Sequence, residues 1–340
     1  MSAVRRIALC AVLVLLSACG GSPTAAGPTP TPRTPGPLGD TWTGDGTTWY
    51  QVGVVGPKPR YLASFAYDAP RHMYVLFGGQ TSEGSSDETW TWNGTKWTAM
   101  TPAHRPPPRR AAAMAYDPGH QLVVLYGGLV QDRNEGIASS DTWTWDGSDW
   151  TQVSPKTDSP GDREGPRMVT AGNRIVLFGG RWYNVKYFGD AWTWDGKRWS
   201  RVDVNPTPPG RANAAIAWNE VDESLFVFGG TGLRSDAGIG ALGSSLGDAW
   251  SLNNGVWAET KASGPPATAN ASAIWIQKTK TALVLFGVTC PNATNAAWAW
   301  SGGAWTHAPN SQIPSRWGAA VAQDPDGRVV VYGGSDEAGC

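Results

Sequence analysis

This chain of 340 residues has almost no net charge, few histidines and none of the common catalytic sequence motifs. The formal net charge is −1, so neither sign of charge favours nucleic acid or an acidic membrane surface as a partner. No GxSxG elbow, HExxH or P-loop sequence is present, which removes the commonest signatures of serine nucleophiles, catalytic zinc and bound nucleotides. The chain has only four histidines and four cysteines. We therefore expect no cofactor and no metal site.

The apolar run 7–16 is too short to span a bilayer as a helix. It follows Arg5 and Arg6 and ends in Leu16-Ser17-Ala18-Cys19, which resembles the lipobox of bacterial lipoproteins. That resemblance implies a signal peptide over 1–18, cleavage before Cys19 and diacylation of the Cys19 thiol. Two acyl chains suffice for stable membrane anchoring, so the chain would be exported and held outside the cytoplasm. An ordinary secretory signal with a chance cysteine is the alternative.

Residues 20–39 are rich in Pro, Thr, Gly and Ala and have little apolar bulk. Such a segment cannot pack into a core, and at about 3.1 Å per residue it would reach roughly 60 Å. We predict a lipidated cysteine and tether over 19–39 and a folded domain over 40–340.

Tryptophan and glycine, in contrast, are abundant, with 20 and 43 residues. Most of the tryptophans lie in a ten-residue phrase that recurs about every fifty residues, a period typical of repeat architectures. The six copies are DTWTGDGTTW at 40–49, ETWTWNGTKW at 88–97, DTWTWDGSDW at 141–150, DAWTWDGKRW at 190–199, DAWSLNNGVW at 248–257 and AAWAWSGGAW at 296–305.

Each phrase predicts a β-hairpin. Alternation such as Trp143-Thr144-Trp145 followed by Asp146-Gly147 is typical of two strands joined by a tight turn. Between the phrases a second strand pair recurs, for example 109–116 and 121–126, which ends in Gly127-Gly128. Each unit is therefore predicted to contain four antiparallel strands.

An inner strand pair ending in Gly-Gly, then a Trp-containing strand, a turn and a strand opening with Trp resembles the kelch repeat over about 40–334. Kelch repeats resemble the blades of galactose oxidase, which implies an all-β propeller. The chain begins with an outer hairpin, 40–52, and ends with an inner pair, 316–334, so the two halves would complete one blade and remove exposed sheet edges. We predict six blades: 59–100, 106–153, 165–202, 210–260, 267–308, and 315–340 with 40–52. Blade three has a shortened inner hairpin, and blade five is expected to lack the second glycine, with Val288 in its place.

The long loops should lie on one face, where ligand contacts on rigid scaffolds concentrate. Arginine opens the inner strand of five blades, and an acid opens the third strand of the same five. Both are missing in blade five, at Ala269 and Ala296. This predicts either Arg–carboxylate bridges within blades or an anion-binding ring. The arginines are Arg60, Arg109, Arg167, Arg211 and Arg316, and the acids are Glu88, Asp141, Asp190, Asp248 and Asp40.

The loop 181–189 carries the most distinctive non-repeated residues, namely Arg181, Trp182, Tyr183, Lys186 and Tyr187. Aromatic rings flanked by cations could stack on a sugar or clamp a peptide. Alternatively, the loop packs its aromatic side chains onto blade three.

The cysteines fit an exported domain. Cys10 would leave with the signal peptide and Cys19 would be lipidated, so Cys290 and Cys340 remain, in neighbouring blades on the long-loop face. We predict a disulfide between them, with an unpaired terminal cysteine as the alternative.

The sequence is compatible with three hypotheses about function. The first is a monomeric, membrane-tethered, non-catalytic module that binds an extracytoplasmic protein or glycan. The second is a carbohydrate-active lyase, epimerase or glycosidase that uses two loop carboxylates among Glu83, Asp132, Glu135 and Asp236. The third is a passive envelope component. No copper ligand of galactose oxidase can be carried onto this chain, so the resemblance implies the fold and not the oxidase.

Overall fold

A computed structural model describes residues 34–132, 135–153, 159–183, 185–204, 206–233, 243–260, 262–309 and 312–338, of which 132 and 135 are described by their backbone only. Residues 35–340 form one compact unit. The predicted signal peptide and the lipidation residue Cys19 lie outside the described residues, so both stay predictions. No helix in the described part of the chain is long and apolar enough to cross a membrane.

The fold is all-β, as predicted, and consists mainly of six antiparallel sheets of four strands, numbered here 1 to 6. Their strands, innermost first, are Ser64–Asp68, Met73–Phe77, Thr89–Trp92 and Trp97–Ala99 in sheet 1; Ala113–Asp117, Leu122–Tyr126, Thr142–Trp145 and Trp150–Val153 in sheet 2; Arg167–Ala171, Arg174–Phe178, Ala191–Trp194 and Trp199–Val202 in sheet 3; Ala215–Asn219, Ser224–Phe228, Ala249–Asn253 and Val256–Thr260 in sheet 4; Ser272–Ile276, Thr281–Leu285, Ala297–Ser301 and Ala304–Ala308 in sheet 5; and Ala320–Gln323, Val329–Tyr332, Thr41–Gly44 and Trp49–Val52 in sheet 6.

Shorter strands form small sheets beside the six. They are Gln80–Thr81 with Gly84–Ser85; Arg109–Arg110 with Leu129–Asp132 and Glu135–Ala138; Arg181–Trp182 with Lys186–Tyr187; Arg211–Ala212 with Thr231–Gly232 and Ser244–Ser245; and Val288–Thr289 with Asn292–Ala293. In the part of the chain that the structure describes, a single 3-10 turn occurs and spans Ala69–Arg71. These small sheets lie in the segments that precede each innermost strand or join the second and third strands. We call the side that carries those segments the long-loop face, and the opposite side the turn face.

The outer hairpins form because their turns supply their own hydrogen bonds. In sheet 2, Asp146 Oδ1 accepts from the backbone N–H groups of Ser148 and Asp149 at 2.8 Å each. Gly147 takes φ of 99°, which suits glycine best. Asp45, Asn93 and Asp195 accept equivalent backbone hydrogen bonds in the turns of sheets 6, 1 and 3. The prediction of tight-turn hairpins is confirmed at these positions.

Sheet 6 combines the two ends of the folded unit. Thr41–Gly44 pairs with Val329–Tyr332, with Thr41 opposite Tyr332. The order also extends further upstream than expected, because Leu38 N donates to Gly334 O at 2.8 Å and Gly36 N donates to the carboxylate of Asp336 at 2.7 Å. Residues 36 and 38, which belong to the predicted tether, thus contact the end of sheet 6, and the domain boundary at 39–40 stays a prediction.

Buried side chains form six hydrophobic clusters, each between two consecutive sheets. One cluster joins sheet 5 to sheet 6 through residues such as Leu285 and Val331, and another joins sheet 6 to sheet 1 through Val330 and Leu76. The other four lie between sheets 1 and 2, 2 and 3, 3 and 4, and 4 and 5. Innermost strands of consecutive sheets contact each other, including those of sheets 6 and 1. Both faces of each sheet are therefore covered, which explains why second strands such as Leu122–Tyr126 are apolar throughout rather than alternating.

Six residues just before the innermost strands share a left-handed backbone conformation, with φ from 52° to 63°. They are Leu62, Ala111, Gly165, Asn213, Asn270 and Gly318. Five backbone N–H···O=C bonds of 2.7–3.0 Å connect members of this set from neighbouring sheets, for example Ala111 N to Leu62 O and Leu62 N to Gly318 O. We call the set the left-handed ring. Sequence reasoning missed it, because only two of its six members are glycine.

The missing glycine of blade five is the first of the pair, not the second. Phe286 has φ of 62° and Gly287 has φ of 105°, close to the 68° and 93° of Gly78 and Gly79 in sheet 1. Phe286 N also donates to Ala296 O at 3.2 Å, as Gly78 N does to Glu88 O at 3.1 Å. The assignment of Val288 to this position was wrong by one residue.

Candidate functional site

Four of the five predicted arginines form the bridges that the repeat pattern predicts. Arg211 is representative: Nη1 and Nη2 donate to the two carboxylate oxygens of Asp248 at 2.8 and 2.6 Å. Nη1 also donates to Gly229 O at 3.1 Å, and Nε donates to Pro209 O at 3.1 Å. The equivalent pairs are Arg60 with Glu88, Arg109 with Asp141 and Arg316 with Asp40. These guanidinium groups are buried and donate their hydrogen bonds to acceptors within the protein. This favours bridges within blades over an anion-binding ring.

The acid at the start of the third strand also accepts a hydrogen bond from the tryptophan two residues later in five sheets. Trp250 Nε1 donates to Asp248 Oδ2 at 2.6 Å, and Trp42, Trp90, Trp143 and Trp192 donate to their acids in the same way. The bridge therefore joins the start of a sheet, its Gly-Gly turn and its third strand. This shared network explains why arginine and acid are lost together in blade five.

The bridging arginine position was assigned wrongly from the sequence in two blades. In blade five the arginine position is Thr268 rather than Ala269, because Gly230 N donates to Thr268 O at 2.9 Å as Gly79 N does to Arg109 O. In blade three the bridging residue is Arg163, which is fully buried and donates from Nη1 to Asp190 Oδ1 at 2.9 Å.

Arg167 occupies a different position from the other four predicted arginines. It is the first residue of the innermost strand of sheet 3, four residues after Arg163, and that register position holds Ser64 in sheet 1. Its Nε donates to Ala214 O at 3.1 Å in sheet 4. The spacing between arginine and Gly-Gly was the available signal, since Arg163 keeps it close to that of Arg60 and Arg167 does not.

Burial and the arginine partner act in opposite directions on the bridge acids. Burial raises the pKa of Asp248, but hydrogen bonds and charge from Arg211 outweigh it, so the pKa of Asp248 is lowered. The pKa values of Asp40, Glu88 and Asp141 are lowered for the same reasons. A carboxyl with a lower pKa in the folded state binds protons more weakly than in the unfolded chain, so acid favours unfolding.

We expect the free energy of unfolding to be constant above about pH 5 and to fall as the pH drops through about 4 and below, where the unfolded-state carboxyls take up protons. Urea unfolding midpoints measured at pH 7, 5, 4 and 3 check this. As a control, the double variant Arg211→Thr with Asp248→Ala should lose less stability between pH 5 and pH 3 than the parent protein does. Equal midpoints at pH 7 and pH 3 would contradict the expectation.

The loop 181–189 is a short two-stranded hairpin. Arg181 forms an ion pair with Glu164, and Lys186 Nζ lies 4.9 Å from the centre of the Phe188 ring. Trp182 and Tyr183, at the tip, are 42% and 41% exposed, and their rings meet edge to face with centres 5.4 Å apart. Tyr187 is half-buried at the base. The hairpin thus divides into a packed base and an exposed aromatic pair, which combines parts of both sequence interpretations.

The remaining candidate groups do not converge in the described part of the chain. Glu83 pairs with Lys58 at 2.8 Å, while the side chains of Asp132 and Glu135 and all of Asp236 lie outside the described residues. His104 contacts Asp149 at 2.8 Å and His120 contacts Asp117 at 3.0 Å. Among the described residues, no group of three His, Cys, Asp or Glu side chains is placed to hold a metal ion.

Cys290 is disulfide-bonded and lies beside Ser245, with 3.9 Å between Sγ and Oγ. Cys340 lies outside the described residues, so the bridge between Cys290 and Cys340 stays a prediction.

A cavity of about 400 Å³ runs along the innermost strands of all six sheets. Alanine is the commonest residue of its wall, which also carries hydroxyl and aromatic side chains and Arg167. Of the five arginines in the anion-binding hypothesis, Arg167 is the one that lies on the described wall of this cavity.

Comparison with protein families finds a match. The sequence model described as the KLHDC2/KLHL20/DRC7 Kelch-repeats domain matches residues 39–180 and 120–334. Together these ranges cover most of the chain. A comparison with curated proteins finds no matching relative.

Proposed function

Because the chain belongs to the KLHDC2/KLHL20/DRC7 kelch-repeats domain family, we propose that it is a non-catalytic module that binds another protein through its long-loop face. Kelch repeats commonly mediate protein interactions. Long loops on a rigid β-scaffold are also where binding residues concentrate. The proposal extends to export and membrane anchoring through Cys19, for which the support is the lipobox-like sequence Leu16-Ser17-Ala18-Cys19.

The scaffold of this module is proposed to be a closed six-bladed propeller. Sheet 6 draws two strands from each end of the unit, as in the pairing of Thr41–Gly44 with Val329–Tyr332. The hydrophobic clusters between sheets 5 and 6 and between sheets 6 and 1 continue the series formed by the other sheets. The hydrogen bonds of the left-handed ring run from Gly318 to Leu62 and on to Ala111 and Gly165. Closure into a ring would also leave only short strands, such as Trp97–Ala99, as exposed sheet edges.

The exposed pair Trp182 and Tyr183 is the observation that carries the binding proposal. Aromatic rings supply large contact area with few rotatable bonds, and they are enriched at protein interfaces. The Arg181–Glu164 ion pair holds the base of their hairpin. Trp182 and Tyr183 should therefore lose little conformational entropy when a partner binds. Lys58 with Glu83 and Arg105 with Asp87, two further charged loop pairs on this face, are exposed and contribute little by themselves.

Replacing Trp182 and Tyr183 with serine should abolish partner capture by the full-length protein while leaving its thermal midpoint nearly unchanged, since both side chains are exposed. The measurement is quantitative cross-linking and mass spectrometry on cells that express the parent or the variant. Tyr50→Ser, at a 65% exposed tyrosine on the outermost strand of sheet 6, is the matched control and should keep the partner. Loss of the same partner in the control, or its retention in the double variant, would contradict the proposed surface. A thermal shift with saccharides that depends on the same pair would replace the protein partner with a glycan.

A further inference from the structure

The central cavity opens at the turn face. At the turn face its wall includes the solvent-exposed residues Glu220 and Pro325. At the other end the wall stops at Ala63, Ala112 and Ala214, each one residue after a member of the left-handed ring. A volume of about 400 Å³ lies within the range of small-molecule sites, roughly 300–1,000 Å³. A ligand would enter from the turn face, opposite to the loop face discussed above.

Arg167 is the one cation among the described residues that line this cavity. Its Nε donates to Ala214 O at 3.1 Å, whereas Nη1 and Nη2 have no protein partner among the described residues. Burial without a neighbouring acid lowers its pKa to about 10, so the guanidinium remains charged at neutral pH. It differs in this from the five bridging arginines, each of which has a carboxylate.

The serine and threonine hydroxyl groups of the cavity wall already donate hydrogen bonds within the protein. Ser64 Oγ donates to Ala112 O at 3.0 Å, Thr170 Oγ1 donates to Tyr116 O at 2.6 Å, and Ser272 Oγ donates to Ala319 O at 3.3 Å. These bonds tie neighbouring innermost strands together, and Nε of Arg167 makes the equivalent bond for sheet 3. Nε of Arg167 therefore makes the bond that links this strand to its neighbour. The N–H groups of Nη1 and Nη2 remain available to bind a ligand.

We propose that Arg167 binds the carboxylate of a small monoanionic ligand that enters the central cavity from the turn face. A carboxylate matches the planar fork of two parallel N–H donors. One negative charge neutralises one guanidinium, whereas a dianion would leave an uncompensated charge among alanine side chains. Glu220 and Asp324, which also line the cavity, further disfavour a second negative charge.

The aromatic residues of the cavity wall indicate the character of the rest of the ligand. Tyr67, Tyr116, Trp218 and Trp275 occupy the same register position of their innermost strands, three residues beyond that of Arg167 and toward the turn face. Flat apolar groups pack well against such rings. Benzoate, a monoanion with an aromatic body, is therefore the probe of choice, and inorganic phosphate tests the charge argument.

Isothermal titration of the full-length protein with benzoate should give saturable binding, and Arg167→Gln should weaken it on the order of tenfold or more, because a charge-assisted pair is lost. Arg174→Gln, at an exposed arginine on the same hairpin, should bind benzoate as the parent does. Inorganic phosphate should bind more weakly than benzoate. Arg167→Lys, which keeps the charge but not the fork, should bind with intermediate affinity.

The parent protein alone can overturn the proposal, whether or not the variants fold. The proposal is refuted if the parent protein shows no benzoate binding at about 10 mM, which is on the order of the dissociation constant of a very weak site. Phosphate binding tighter than benzoate, or benzoate binding unchanged in a folded Arg167→Gln protein, would refute it as well. None of these results bears on the long-loop face, which is tested by Trp182 and Tyr183.

Discussion

Replacing Arg211 with alanine is expected to lower the free energy of unfolding by about 3 kcal/mol, the lower end of the range for breaking a buried ion pair. The guanidinium is fully buried and holds the carboxylate of Asp248, Gly229 O and Pro209 O together. Its removal leaves these acceptors without their donor. Asp248 is partly exposed, so water can take over some of its bonds, and this places the effect at the lower end. Urea unfolding of the parent and the variant measures the difference.

Blade five supplies the matched control for this experiment, since it has Thr268 and Ala296 at the two positions. The double variant Arg211→Thr with Asp248→Ala removes both charges and should be destabilised by clearly less than the sum of the single variants, because no unpaired charge remains. Arg198→Ala breaks an exposed pair with Asp195 and should cost less than about 1 kcal/mol. Strict additivity of Arg211 and Asp248 would show that the bridge does not act as a unit.

A chain that starts at Val54 is expected to lose cooperative folding altogether. It lacks Thr41–Gly44 and Trp49–Val52, the two outer strands of sheet 6. Val329–Tyr332 would then present an unpaired edge, and Val331, now fully buried, would face water. Both changes favour association of edges between molecules. Thermal unfolding followed by circular dichroism and size-exclusion chromatography should show no sharp transition and early elution.

The control for this truncation is a chain that starts at Pro35, which keeps both strands and should melt as the full chain does. A synthetic peptide of residues 35–53 added in excess should restore a transition to the shorter chain by mass action, since it binds only the folded state. If the shorter chain melts at the parental midpoint without the peptide, the N-terminal hairpin does not complete the ring, and the closed propeller proposed here is wrong.

Local pattern explains why much of this fold could be predicted. The alternation in Trp143-Thr144-Trp145 and the turn at Asp146-Gly147 each depend on a few consecutive residues, so hairpins, strand order and the kelch family were accessible from the chain alone. The pairing of arginine with acid was also accessible, because both recur once per repeat and disappear together in blade five. Repetition provides several examples of one environment, and such shared absences reveal contacts.

Non-repeated features were less accessible, because their partners come from other repeats. The partner of Arg167 is Ala214 O of sheet 4, which no pattern within its own repeat indicates. The exposure of Trp182 and Tyr183 depends on how the hairpin packs against neighbouring sheets. Asn213 and Leu62 adopt left-handed backbone that their residue types do not demand.

The sequence by itself determined the all-β repeat unit, its turns and the residues that bridge four of the repeats, since these follow from side-chain alternation, turn chemistry and charge at fixed spacing. The tertiary structure alone decided the central cavity, its open end and the isolation of Arg167 within it. Those properties arise only when innermost strands from different sheets come together, and they depend on the side chains that neighbouring repeats leave without a partner.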